Sequence, residues 1–220
     1  MPIELTTSAA PYVPRQRTLP VLREAVQHCH GCDLYRHATQ AVFGELEAES
    51  GRGKLKAPLM LIGEQPGDQE DKQGRPFVGP AGQLLDECLN EAGIDRAYVY
   101  VTNAVKHFKW EPLGKRRLHE KPTLREVAAC RPWLDAEMEA VGPALIVCLG
   151  ATAAQDLLGA KFRVTRDRGN LFHVEGLPPI MATVHPSSIL RARSEDERHQ
   201  QKLSFIADLK KVRLQLRQGA

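Results

Sequence analysis

Gly63–Leu85, reading GEQPGDQEDKQGRPFVGPAGQLL, is the stretch from which the fold is read. It follows the apolar run Pro58-Leu-Met-Leu-Ile62 and leads into an amphipathic segment over 81–92. A buried strand that opens into a long polar, glycine-bearing loop and then a helix describes one α/β unit. A loop of this length is more often functional than a plain connector. Glycines at 63, 67, 74, 79 and 82 let the backbone approach a planar or anionic ligand, and Phe77 offers an exposed aromatic ring. An ordinary strand-to-helix loop is the plainer alternative. A phosphate loop is excluded, because no Lys-Ser/Thr pair follows the glycines.

On either side of this stretch, strand character recurs at 59–62, 98–102, 144–149 and 180–184. Helical patterns fall at 82–92, 123–141 and 152–158, with a short helix at 18–29 and a charged terminal helix at 194–218. The alternation predicts an α/β fold, a parallel sheet with helices on both faces. Residues 44–57 read as a loop, and 163–176, with Arg-Gly-Asn at its centre, as a small hairpin. Residues 1–17 read as a flexible tail and 18–220 as a single domain. In open parallel sheets ligands bind beyond the carboxyl ends of the strands. Glu64, Gln65, Asn103 and His185 follow or end three of these strands, so they are expected to converge on one crevice.

The 220 residues, 42% of them hydrophobic, suffice for one good core. No run of about 18 apolar residues exists, and the N-terminus lacks a basic-then-apolar leader, so a cytoplasmic protein without membrane association is expected. The formal charge of +3 says little, but residues 106–121 hold six Lys/Arg against two Glu, interleaved with Phe108 and Trp110. Cys29 and Cys32 form a C-x-x-C, Cys130 and Cys148 have 17 residues between them, and Cys88 reads as a core residue. Four thiolates suit zinc or an iron–sulfur cluster equally well, and a redox pair plus two buried thiols is the alternative.

The combination of GEQPGDQED, GRPFVGPAGQLL, TNAVK and HPSSILR, with the four cysteines, resembles the uracil-DNA glycosylase superfamily, in particular its iron–sulfur-containing family 4 branch. The resemblance runs from about Cys29 to Arg191. It implies a three-layer α/β/α sandwich around a four-stranded parallel sheet, and a 4Fe–4S cluster held by Cys29, Cys32, Cys130 and Cys148. Two features depart from ordinary family 4 members, which read GEAPG at the first motif: Gln65, and the basic insertion Gly114-Lys-Arg-Arg-Leu-His-Glu-Lys-Pro122. Both are similar to UdgX-type relatives, which become covalently attached to uracil-containing DNA through a histidine. The matching residue is His119.

The resemblance assigns roles residue by residue. Phe77 stacks on uracil, and Asn103 pairs with its O4 and N3–H. Gly63 and Gln65 complete the base pocket, with Asp68 and Asp71 shaping the loop. His185 stabilises charge on uracil O2, Glu64 supports His119, and Lys115, Arg116, Arg117 and Arg191 hold phosphates. The implied partner is uracil-containing DNA, preferably single-stranded, with free uracil as product and a monomeric protein as the agent. Rival readings are a multiple-turnover family 4 glycosylase and a non-catalytic uracil-DNA sensor. An oxidoreductase is disfavoured by the lack of G-x-G-x-x-G.

Overall fold

The computed structural model describes residues 7–47 and 57–218. In chain order its elements are α1 (Leu19–Val26), β1 (Glu45–Leu46), β2 (Leu59–Gly63), α2 (Asp68–Gln73), α3 (Pro80–Ala92), β3 (Val99–Asn103), β4 (Trp110–Leu113), β5 (Arg116–His119) and α4 (Leu124–Val141). They continue with β6 (Leu145–Leu149), α5 (Ala151–Leu158), α6 (Val164–Asp167), β7 (Leu171–Phe172), β8 (Ile180–Thr183), α7 (Pro186–Leu190) and α8 (Glu195–Gln218).

The main sheet runs β1-β3-β2-β6-β8-β7. Its central four strands are parallel, as predicted, and the two-residue edge strands β1 and β7 pair antiparallel. Alternate residues of each central strand enter opposite cores. Met60, Ile62, Tyr100, Ile146 and Ala182 pack with α1, α4 and α5 on one face. Leu59, Leu61, Val101, Val147 and Met181 pack with α3, α7 and α8 on the other. Burial on both faces explains why these strands read as continuous apolar runs. It also gives the three layers expected. Cys88 lies fully buried in the second core.

Three segments differ from expectation. The 63–85 loop contains α2, which has no hydrophobic periodicity. It is held instead by the Glu70 carboxylate accepting from Gly67 N, by acids in its first turn, and by left-handed Gly74 at its end. The 163–176 segment does not fold on itself: α6 precedes β7, which completes the open edge of β8, while Gly169, at φ 73°, donates its N–H to Ala182 O. An available sheet edge satisfies more backbone groups than an isolated hairpin would. Within the 1–17 tail, Ala9 is buried and its N–H donates to Ala129 O on α4 at 2.8 Å; residues 1–6 lie outside the described residues. So do residues 48–56 of the 44–57 loop.

Below the strand ends, the fully buried Glu137 of α4 accepts from Gly44 N (2.9 Å), Tyr100 OH (3.0 Å) and Thr102 Oγ1, and pairs with fully buried Lys106. The Lys106 ammonium also donates to Asn103 O at 2.6 Å, and its amide N–H points at Cys130 Sγ at 3.3 Å. Removing one member of a buried pair strands the other charge. Glu137→Ala is therefore expected to lower unfolding free energy by about 3–5 kcal/mol in urea titration. A loss under about 1 kcal/mol would show that the pair does not hold this layer together.

Candidate active site

The strand order reverses between β2 and β6, the place where open parallel sheets form a ligand crevice. A cavity of about 850 Å³ opens there, lined among others by Glu64, Gln65, Phe77, Asn103, His119, Thr152, His185 and Arg191. Glu64, Gln65, Asn103, Thr152 and His185, far apart in sequence, are thus gathered because each ends or lies just beyond a parallel strand. His119 arrives separately, on a hairpin.

Glu64 follows β2 directly. Its Oε1 lies 3.4 Å from His119 Nε2, and its Oε2 accepts from the Thr152 hydroxyl. Burial alone would raise the Glu64 carboxyl, but hydrogen bonds from His119 and Thr152, with electrostatic support from His119, hold it below the ordinary range. Glu64 is therefore a carboxylate at neutral pH. His185 caps α7 through Nδ1, which accepts from Ser187 N at 3.2 Å and lies 2.8 Å from Ser187 Oγ. Burial pushes its pKa down to about 4. A neutral imidazole accepting at Nδ1 carries its proton on Nε2, so it is a hydrogen-bond donor there.

Asn103, the last residue of β3, is 3% exposed, and its backbone oxygen is held from behind by Lys106. A Cβ at Gly63 would collide with Asn103 Oδ1 and come 2.8 Å from Phe77 Cζ, so glycine lets the amide and the ring share this wall. Phe77 is half-buried rather than exposed, with its ring stacked 6.0 Å from His185. Among the described residues it alone combines a side chain with positive φ, 56°. Such strain is kept where the surroundings enforce it. Here a Cβ at Gly82 would run into Phe77 O, so that glycine admits the turn.

The basic insertion supplies the turn and the second strand of the β4–β5 hairpin, with Trp110 opposite His119. Gln65, expected to complete the base pocket, lines the cavity and directs its side-chain amide to the hairpin's neck. Its Nε2 donates to Lys109 O and Glu120 O (3.1 and 3.0 Å), and its Oε1 accepts from Lys109 N (3.0 Å). Arg117 also departs from its expected phosphate role. Its guanidinium lies over Phe108 and Trp110 and pairs with Asp68 and Asp71, each at 2.6 Å. Because β5 alternates, Arg117 and His119 share a face, and Arg117 pins that face to the body. Lys106 and Lys109 are likewise paired internally, Lys109 with Glu120 and Glu126. Lys115 and Arg116 stay exposed on the hairpin, and exposed Arg191 lies at the cavity mouth.

Asp71 is fully buried and accepts from Thr39 N and Oγ1 as well as from Arg117. Asp68 pairs with Lys72 and Arg117. Both therefore brace the loop. Glu70, which sequence reasoning passed over, joins the ends of α2's surroundings by accepting from Gly67 N and Gly79 N. Thr152 was passed over too, although the strand-end rule that selected Glu64 would have reached it just beyond Gly150.

Cys29, Cys32, Cys130 and Cys148 all belong to the first core, but the groups that act on them differ. Cys29, Cys32 and Cys130 are buried, and burial followed by the mutual influence of neighbouring thiols raises Cys32, and Cys130 to about 12. Trp133 Nε1 donates to Cys29 Sγ at 3.1 Å. Cys148, expected as the fourth ligand, sits mid-sheet between Ile62 and Ala182, and the charges that act on it are Asp156 and Arg131 rather than the other thiols. Its position in β6 is dictated by sheet register, which spacing in sequence does not reveal. His107 follows Lys106, whose N–H meets Cys130 Sγ, and the charges that act on it are those of Asp71 and then of His30, which lies between Cys29 and Cys32. Burial lowers its pKa to about 4, leaving the neutral imidazole that ligates metals. Among the described residues no three such side chains converge closely enough for a single ion, so the grouping is one of shared environment.

The family described as the uracil DNA glycosylase superfamily matches residues 50–210. The type-4 uracil-DNA glycosylase of Thermotoga maritima is 40% identical over 185 residues, 84% of this chain and 89% of that protein. The type-4 enzyme of Archaeoglobus fulgidus is 35% identical over 87% of this chain and 89% of its own. A type-5 uracil-DNA glycosylase of Pyrobaculum aerophilum is 31% identical over 62% of this chain. The family match extends over most of the sequence and the type-4 similarity over nearly the whole of both proteins: the chain belongs to the uracil DNA glycosylase superfamily.

Proposed function

We propose that this protein excises uracil from DNA, preferring single strands, and becomes bonded to the sugar C1′ through His119, in the manner of UdgX-type proteins. The observation that carries the reading is His119 facing Glu64 on a clamped hairpin at the rim of a cavity lined by Phe77, Asn103 and His185. Similarity to type-4 uracil-DNA glycosylases supports the substrate class.

The target nucleotide must leave the base stack, which costs least in single strands. Phe77 then stacks on the ring, a contact worth roughly 1–3 kcal/mol per base in comparable sites. The Asn103 amide pairs with O4 and N3–H of uracil. Cytosine presents the opposite donor and acceptor there, and leaves buried polar groups unpaired. As the N-glycosidic bond breaks, its electron pair departs with uracil and the sugar becomes an oxocarbenium ion. The neutral His185 donates from Nε2 to uracil O2, where charge develops. A ring nitrogen of His119 gives its lone pair to C1′, and the Glu64 carboxylate balances the resulting imidazolium. Uracil takes a proton from solvent and leaves. Lys115, Arg116 and Arg191 hold phosphates, while Arg117 acts by bracing the hairpin.

The cluster that the resemblance implies is assigned to Cys29, Cys32 and Cys130, with His107 in place of Cys148. When bound, it supplies a cross-link between the N-terminal segment, α4 and the chain after β3, away from the base pocket.

Two outcomes are expected. Wild-type protein mixed with uracil-containing single-stranded DNA gives a shifted band on a denaturing gel, absent with thymine. His119→Ser loses that band and releases free uracil instead. Persistence of the band in His119→Ser removes the nucleophile assignment, and alkali-labile DNA without a band in wild type indicates conventional turnover. For the cluster, Cys148→Ser keeps iron content and visible absorbance, whereas His107→Ala and Cys130→Ser lose them. The reverse pattern restores Cys148 as the ligand.

A further inference from the structure

We infer that Thr152 is a positioning residue for Glu64: its hydroxyl fixes one carboxylate oxygen so that the other is presented to His119. The inference rests on the roles of Glu64 and His119 proposed above, and it concerns a residue to which neither the motifs nor the resemblance gives a part.

Thr152 is the second residue of α5, immediately beyond β6, and is 6% exposed. Glu64 stands immediately beyond β2, and β2 and β6 are the adjacent strands at which the order of the sheet reverses. The two side chains therefore face each other across the floor of the crevice. The turn that brings Thr152 there is made by Gly150, at φ 94°, where a Cβ would come 3.1 Å from the His185 Cβ. The Thr152 hydroxyl donates to Glu64 Oε2, and among the described residues no other hydrogen bond reaches that carboxylate apart from the His119 approach to Oε1.

The terminal torsion of glutamate is broad and nearly two-fold, so rotamer preference alone does not aim its oxygens. A β-branched threonine at the start of a helix is stiff at χ1 and can supply a fixed donor. Taking that donor away leaves Glu64 in place but free to turn, and His119 then loses a defined acceptor. The threonine methyl offers a competing explanation, that Thr152 simply fills space, and the two are separable. Valine keeps the shape and removes the donor. Serine keeps the donor and removes the methyl.

The test uses the full-length protein and a single-stranded oligonucleotide with one uracil. The maximal rate of adduct formation, the protein concentration at half-maximal rate, free uracil release and the thermal midpoint are measured for wild type, Thr152→Val and Thr152→Ser. Thr152→Val is expected to lower the maximal rate by about 10- to 100-fold, the scale of a hydrogen bond to a charged group. Its half-saturation should stay within about 2-fold of wild type, since only the chemical step is affected. Thr152→Ser should recover most of the rate even where its thermal midpoint falls. Wild-type rates in Thr152→Val, or a Thr152→Ser protein as slow as Thr152→Val, would overturn the inference. If wild type releases uracil without forming an adduct, the capture reading fails by itself, and the same ordering of uracil-release rates decides the role of Thr152. A wild type that does neither leaves Glu64 without a chemical role and removes both.

Discussion

Four parallel strands buried on both faces leave polar chemistry only one outlet, the carboxyl end of the sheet. Every core-facing position of β2, β3, β6 and β8 is apolar or internally paired, so side chains that need water, substrate or one another must come from the residues at or after the last rung. Glu64, Asn103, Thr152 and His185 occupy those positions. Their convergence is a consequence of strand direction and strand order rather than of any local motif.

The site is then stiffened from two directions. From below, Lys106 holds Asn103 by its backbone oxygen while its own amide meets Cys130, so the cavity wall and the thiol corner share one buried lysine. From the side, the Gln65 amide ties both strands of the β4–β5 hairpin at the neck, and Arg117 ties the far end through Asp68 and Asp71. A basic stretch that looks in sequence like a phosphate-binding surface is, for half its cations, an internal scaffold. Charge counts along a chain do not distinguish the two, because partners such as Asp68, Glu126 and Glu137 are distant in sequence.

The layered fold was legible because both signals that produce it are local: apolar runs for strands buried on two faces, and amphipathic segments between them. The pocket residues Glu64, Asn103 and His185 were legible as strand-end residues, and Phe77 as the aromatic of the glycine-bearing loop. What escaped were features fixed by three-dimensional register. Cys148 looks like a ligand by count, yet its place in β6 sets it beside Asp156 and Arg131. Helix α2 lacks apolar periodicity and is sustained by its end groups. Gln65 lines the pocket as its position suggests, but the partners of its side-chain amide are backbone groups more than forty residues away.

The hairpin clamp is made entirely of contacts within this chain, and they hold His119 beside Glu64. A nucleophile such as His119 is proposed to be, held in this way, has no safety catch in the backbone. On the mechanism proposed, restraint lies wholly with the leaving group: until a base that Asn103 and His185 accept fills the wall beside Phe77, no electron-deficient carbon forms, and the poised imidazole has nothing to attack.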